Sequence, residues 1–304
     1  MTSERPTASQ MRAVGMAVST AAWDGYDWPE VFASMARLGI GDIELAFIKG
    51  YVSEFGDGDL DEALADELLS LMARHGQRCT VLSAHLDPGA PGGIESMAVR
   101  IRFARALGAT YLITNAADVA TSERFEAGLS DMMASARQAG VKLLFENPGN
   151  GGDNLINRAA DLPALLARLD RSAAGINYDP GNLISHRPAL PPVADALEAI
   201  ALSDHLHLKA VGRDARGYGF GALGTGDIDY APIVAALARR GLPFSLELPF
   251  RLRRDANAQP VKRDDPLSLV EIERGVSASL EWMARHHPGL LDPASGSAAS
   301  RPRH

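Results

Sequence analysis

Apolar residues recur along this chain with two alternating periods. Ile94, Met97, Ala98, Ile101 and Ala104 form one stripe at helical spacing, and Phe125, Leu129, Met132, Met133 and Ala136 form another. Five such stretches close on glycine: "RLG" at Gly39, "RHG" at Gly76, "ALG" at Gly108, "QAG" at Gly140 and "RRG" at Gly241. Glycine just past a helix is the usual left-handed cap. A β-branched or aromatic run follows each one within a few residues. The gaps between these glycines are 37, 32, 32 and 101 residues, the last being close to three further units. Strand then helix at such a period is a βα repeat.

Read through, the pattern predicts eight units. Strands fall near 13–18, 41–46, 78–85, 110–115, 142–147, 174–179, 205–210 and 244–249. Helices fall near 28–38, 60–75, 94–107, 121–139, 157–169, 190–202, 229–240 and 266–288. Eight alternating pairs predict one α/β domain, a (β/α)8 TIM barrel over residues 13–288. The rival is an open doubly wound sheet, which usually carries a glycine-rich phosphate loop after its first strand. Here that region reads "AVSTAAWDGYDW" and has no such loop. Residues 1–12 and 289–304 read as disordered ends, the second being small and polar ("DPASGSAASRPRH" from residue 292).

Composition narrows the function. At 304 residues, 46% hydrophobic and 22% charged, the chain can build a full core. A net charge of -8 argues against a surface that coats nucleic acid. No apolar run is long enough to span a bilayer, and residues 1–12 lack the apolar segment of a signal peptide. The single cysteine, Cys79, excludes an intrachain disulfide. A cytoplasmic protein is expected, with no membrane or nucleic-acid partner.

In a barrel the C-terminal ends of all strands meet on one face. Those ends are polar almost throughout: Glu44 in "DIELA", His85 in "TVLSAH", Asn115 in "YLITN", and Glu146 with Asn147 in "LLFEN". They continue with Asp179 and Asn182 in "INYDPGN", His205, His207 and Lys209 in "HLHLK", and Glu247 in "FSLELPF". Buried carboxylates that converge on one point call for a cation. Glu146, Asp179, His207 and Glu247 offer three carboxylates and one imidazole, a set that suits Mn2+, Mg2+ or Co2+ better than a structural zinc. Three negative ligands around a dication leave a charge near -1, a site that tolerates a neutral polyol well. Periodicity does not separate His207 from His205, because both lie on the same face of the strand. Asp179 also has a plain reading as the start of the turn "DPGN". The basic stretch "FRLRRDANAQPVKRDD" reads as a solvated loop. A lid for a phosphate or carboxylate, or a subunit contact in a homo-oligomer, are its alternatives.

Together "IEL", "SAH", "FEN", "YDPGN", "HLHLK" and "LEL", in this order over residues 12–288, resemble the xylose-isomerase-like barrel superfamily. That group holds sugar isomerases and epimerases together with metal-dependent apurinic endonucleases. The resemblance is nearest to the ketose 3-epimerase branch. It implies one divalent metal, with Mn2+ first, on Glu146, Asp179, His207 and Glu247. It also implies Glu146 and Glu247 as the proton-transfer pair. It selects His207 over His205 and places Arg213, six residues on, at the substrate. Glu44, His85, Asn182, Lys209 and Arg213 are the expected contacts to a sugar or polyol, with orienting His85 or a purely structural role as the alternatives for Glu44. The epimerase branch has histidine where Asn182 stands and lacks Lys209. The endonucleases need further histidines where Asn115 and Asn182 stand, which points to a single metal. The expected reaction is isomerisation or epimerisation of a keto-sugar or related polyol through an enediolate. Two readings compete with it. One is a dehydratase or lyase acting on a keto-sugar, inosose or oxidised glycoside. The other is an inactive binding subunit, which the retained ligand set argues against.

Overall fold

Eight parallel strands close into a barrel in the order β1-β10-β7-β6-β5-β4-β3-β2. They are β1 (Met16–Ser19), β2 (Asp42–Ala46), β3 (Arg78–Ser83), β4 (Tyr111–Asn115), β5 (Lys142–Glu146), β6 (Ala174–Tyr178), β7 (His205–Leu208) and β10 (Phe244–Leu246). Between β7 and β10 lie β8 (Ala210–Asp214) and β9 (Gly217–Gly221), and after β10 come β11 (Leu252–Arg254) and β12 (Pro260–Lys262). This is a computed structural model, and it describes residues 5–52 and 54–290. The end expected to be disordered lies outside the described residues from 291 to 304, as do residues 1–4.

The helices follow the sequence pattern closely. They are α1 (Ala8–Ala13), α2 (Trp28–Arg37), α3 (Glu62–Ala73), α4 (Gly93–Ala106), α5 (Ser122–Ala139), α6 (Leu162–Leu166), α7 (Pro180–His186), α8 (Pro192–Ile200), α9 (Ala231–Arg240) and α10 (Leu269–His286). Asp27 starts α2 by accepting from the Glu30 amide, and Asp61 starts α3 by accepting from Leu64. The five glycines that punctuate the sequence all have φ between 62° and 76°. That is the left-handed region, where a side chain is strained.

Three departures have local causes. Ala8–Ala13 is a helix inside the stretch expected to be disordered, because Thr7 and Gln10 form a capping box and Met11 is buried. The helix expected at 157–169 shrinks to α6. The residues before it are taken up by side-chain turns, with Asn157 Oδ1 accepting from the Asn154 amide and Asp161 Oδ2 from the Asn157 amide. The basic stretch after β10 is not a solvated loop. It supplies β11 and β12, which join β9 and β8 in an antiparallel sheet ordered β12-β11-β9-β8. Asp24 holds that sheet to the barrel through Arg251 Nη1 at 3.2 Å and Lys262 Nζ at 2.8 Å.

Strand alternation sorts the side chains. Outward residues pack on the helices, as Phe145 does edge-on against Phe125 at 5.3 Å. Burying each such ring fully is worth about 2 kcal/mol relative to exposure. Inward residues Ala17, Val81, Ile113 and Leu144 form an apolar cluster of their own. Two residues further along the same faces the side chains become Ser19, Ser83, Asn115 and Glu146. The barrel therefore has an apolar floor and a polar upper layer at its C-terminal mouth. Among the described residues, no helix is long and apolar enough to cross a membrane.

Candidate metal centre

Glu146 ends β5 with its side chain inward and buried. Asn147 turns the next strand end towards it, donating from Nδ2 to the Asp179 carbonyl at 2.9 Å and accepting from the Asp179 amide at 2.8 Å. Asp179 then divides its two oxygens. Oδ1 caps α7 by accepting from the Gly181 and Asn182 amides at 2.8 and 3.2 Å. Oδ2 faces the Lys209 ammonium at 2.6 Å. Asp179 thus starts the turn through Oδ1 and also belongs to the group that could hold a metal. His207 on β7 and Glu247 just past β10 complete the group. One ligand atom from each of Glu146, Asp179, His207 and Glu247 lies within 4.8 Å of all the others, and all four residues are buried.

The two histidines have separate tasks. His205 is engaged on both nitrogens, Nδ1 with Asn177 Oδ1 at 2.7 Å and Nε2 with Ser245 Oγ at 3.3 Å. Burial, with the neighbouring His207 charge, pushes its pKa well down, so it stays neutral. His207 Nε2 meets Glu44 Oε2 at 2.9 Å, while Nδ1 has no hydrogen-bond partner and faces Glu146 Oε2 at 3.1 Å and Glu247 Oε2 at 3.6 Å. Burial opposes its protonation, but Glu44, Glu146 and Glu247 outweigh burial and drive the pKa well up. Burial likewise opposes ionisation of Glu146, yet His207 and the cations around it push that carboxyl down to about 2.

Glu44, an expected substrate contact, lies behind His207 in the structure. Its carboxylate is fully buried and held on His207 Nε2, where it leaves Nδ1 as the free donor. A carboxylate behind a metal-binding imidazole fixes its tautomer and orientation. Glu44→Gln should therefore weaken metal binding by about 10- to 100-fold. Chelator competition measures this, and unchanged affinity would show that Glu44 does not position His207.

Arg213, another expected substrate contact, lies exposed on β8 with its guanidinium over the Tyr218 ring at 5.8 Å and is not part of the cavity wall. The chain leaves the barrel after β7 and enters a hairpin, so spacing counted from His207 no longer points at the barrel axis. His85, Asn182 and Lys209 do line a cavity of about 300 Å³ beside Glu146 and Glu247. His85 is held by Ser83 Oγ at 2.7 Å and Asn115 Oδ1 at 3.0 Å. Asn182 Nδ2 donates to Glu146 Oε1 at 2.9 Å. Lys209 Nζ lies 2.6 Å from Asp179 Oδ2 and also contacts Glu247 Oε2. Burial works against its charge, but Asp179 and Glu247 keep it protonated.

The second sheet adds Arg254, Gln259 and Pro260 to the cavity wall, and the segment after β2 adds Lys49 and Tyr51. The sequence reading missed these as site residues. One signal was available for Arg254. It sits two residues after Leu252, and the two are buried on one face of β11.

The group fits a hard divalent ion. Three carboxylates and one imidazole converge, and His207 Nδ1 is buried with no hydrogen-bond partner. Such an orphaned atom is costly unless something binds it. No other group of this kind occurs among the described residues.

No curated protein matches the sequence. Solved structures match at low identity. D-psicose 3-epimerase from Clostridium cellulolyticum H10, crystallised with D-tagatose, is 16% identical with a TM-score of 0.68, covering 90% of this chain and 99% of its own. A xylose isomerase-like TIM barrel protein from Mycobacterium smegmatis, in complex with magnesium, is 18% identical with a TM-score of 0.66, covering 92% and 97%. The probable 3-DHS dehydratase AsbF from Bacillus anthracis is 17% identical with a TM-score of 0.58, covering 76% and 92%. These likenesses concern the fold. The sequence itself matches the family model described as xylose isomerase-like TIM barrel over residues 32–286, a span that runs from α2 to the end of α10 and contains the whole ligand group. By that match and by its closed eight-stranded barrel, the chain belongs to the xylose isomerase-like TIM barrel family.

Proposed function

We propose that this protein is a metal-dependent isomerase or epimerase of a keto-sugar or related polyol, working by proton transfer through an enediolate. The observation that carries the reading is the pairing of two buried carboxylates, Glu146 and Glu247, within one four-ligand group at the cavity floor. Their strands β5 and β10 are separated in the barrel by β6 and β7, so the two side chains approach from different sides. One can remove a carbon-bound proton and the other can return it. Glu146, Asp179, His207 Nδ1 and Glu247 would hold a single Mn2+, Mg2+ or Co2+. When bound, that ion supplies Lewis-acid stabilisation to a carbonyl and its neighbouring hydroxyl. Asn182 holds Glu146 through Oε1, and Asn177 donates to Oε2, which fixes the direction of that carboxylate. His85 and Lys209 present polar atoms to substrate oxygens from the cavity wall.

A dehydratase or lyase is the second reading, and Lys209 favours it. A buried ammonium beside Glu247 can donate a proton to a departing hydroxyl. The likeness to the probable 3-DHS dehydratase is compatible with that. One experiment separates the two. Ketoses, inososes and oxidised glycosides are incubated with enzyme and Mn2+ in deuterium oxide, then read by mass spectrometry and proton NMR. Proton return gives a product of the substrate's composition, carrying deuterium at carbon where the base exchanges with solvent. A product lighter by one water, or a released aglycone, with no isomeric product, would overturn the first reading.

A further inference from the structure

Arg254 is 4% exposed, yet no carboxylate pairs with it among the described residues. Its guanidinium donates from Nη1 to the Ala258 carbonyl at 3.2 Å and from Nη2 to the Tyr51 hydroxyl. Nε has no partner. Its neighbours Arg251 and Arg253 differ: Arg251 pairs with Asp24 and Arg253 with Asp214. A buried guanidinium held only by neutral groups is costly unless an anion completes it. Arg254 lines the cavity that holds Glu146, Asn182 and Lys209, and Lys49 stands at its exposed rim.

The space between Arg254 and the ligand group is kept open. A Cβ at Gly149 would come within 2.7 Å of both Arg254 Nη2 and Asn182 Oδ1. Any side chain there would press on both groups. Asn182 Oδ1 has no hydrogen-bond partner either. A path therefore runs from a spare cation, past a spare acceptor, to Asn182 Nδ2 and Glu146 Oε1. The charge count agrees. Glu44, Glu146, Asp179 and Glu247 carry four negative charges against a dication and the cations Lys49, Lys209 and Arg254, which leaves one positive charge. The -1 expected from the three ligand carboxylates alone omitted these cations. Arg254 also acts on a group outside the site. Burial first, then Arg187 and Arg254, push His186 down to about 4.

We infer that the substrate is an anionic polyol, with a carboxylate or phosphate seated on Arg254 while its reacting carbons lie at Glu146 and Glu247. This deepens the function proposed above and rests on it. Guanidinium suits both anions because its fork matches two of their oxygens. Asn182 Oδ1 accepts from a hydroxyl between the two ends. Lys49 adds attraction at the entrance.

The test uses three open-chain ligands of one length: gluconate, sorbitol 6-phosphate and sorbitol. Each is titrated calorimetrically into the Mn2+-loaded protein, into R254M and into R254K. Gluconate or sorbitol 6-phosphate should bind at least about 30-fold tighter than sorbitol, the loss that truncating a buried charged partner implies. The tighter of the two names the anion. The preference should vanish in R254M. In R254K it should survive only in part, because lysine keeps the charge but loses the fork. Thermal melts of both variants confirm folding, and if R254M is unfolded, R254K carries the decision. Sorbitol binding as tightly as the charged pair, no binding of any of the three, or a preference that persists undiminished in both variants would overturn the inference. Turnover of neutral ketoses together with equal binding would sink the anion while the function stands. Arg254-dependent anion binding with no proton exchange on any ketose or keto-acid would do the reverse.

Discussion

Glu146→Gln and Glu247→Gln should each lower turnover by about 10²- to 10⁴-fold at saturating metal, the range for losing a positioned acid or base. Glutamine keeps the length of the side chain and one carbonyl oxygen able to bind an ion. It cannot accept a proton from carbon at neutral pH. The two variants should differ in their side effects. Glu247→Gln removes a charge from Lys209, which still has Asp179 at 2.6 Å. Glu146→Gln removes one of the carboxylates that face His207 Nδ1, and Asn182 Nδ2 and Asn177 Nδ2 lose their charged acceptor. Metal affinity is measured separately by chelator competition, so that kcat is compared only with the site filled. Exchange of the substrate's carbon-bound proton with solvent gives a second readout. A variant that lost only metal would recover both rate and exchange as Mn2+ is raised. Near-normal kcat for both variants at saturating Mn2+ would end the two-carboxylate mechanism.

The barrel was legible because both of its periods are written locally. Five glycines at left-handed positions mark helix ends, and alternation places Leu144 and Glu146 on one face of β5. The ligand group was legible for the same reason, since strand ends in a closed barrel converge whatever the loops do. What stayed hidden depends on contacts between distant segments. Glu44 and His207 lie 163 residues apart, and nothing near either residue says that one carboxylate backs the other imidazole. Arg254 reaches the cavity only because β11 pairs antiparallel with β9, with Arg254 opposite Tyr218. Arg213 was placed at the substrate by resemblance alone, and the hairpin of β8 and β9 carries it to an exposed position. Local sequence carries the scaffold and the strand-borne candidate ligands, whereas pairing across the second sheet brings Arg254 to the cavity.

The choice between the two histidines of "HLH" follows from that distinction, and it has a sharp consequence. His207→Ala should weaken metal binding by more than about 100-fold, beyond the range for residues that merely support a ligand. His205→Ala should keep the metal. The reason is occupancy. Both nitrogens of His205 are used, by Asn177 Oδ1 and Ser245 Oγ, whereas His207 spends only Nε2 on Glu44 and leaves Nδ1 towards Glu146 and Glu247. Folding stability will not tell the two apart. His205→Ala strands the buried Asn177 and Ser245 side chains, a loss of about 1–3 kcal/mol. His207→Ala leaves Glu44 buried with no partner, which is also destabilising. Affinity must therefore be read on folded protein. The metal is stripped with a chelator, Mn2+ is titrated back with detection by electron paramagnetic resonance, and a melt is recorded for each variant. His205→Asn serves as a milder companion that keeps a polar group in the same pocket. If His205→Ala loses the metal and His207→Ala binds it normally, the inward face of β7 has been assigned to the wrong ligand, and the ligand group must be rebuilt around His205.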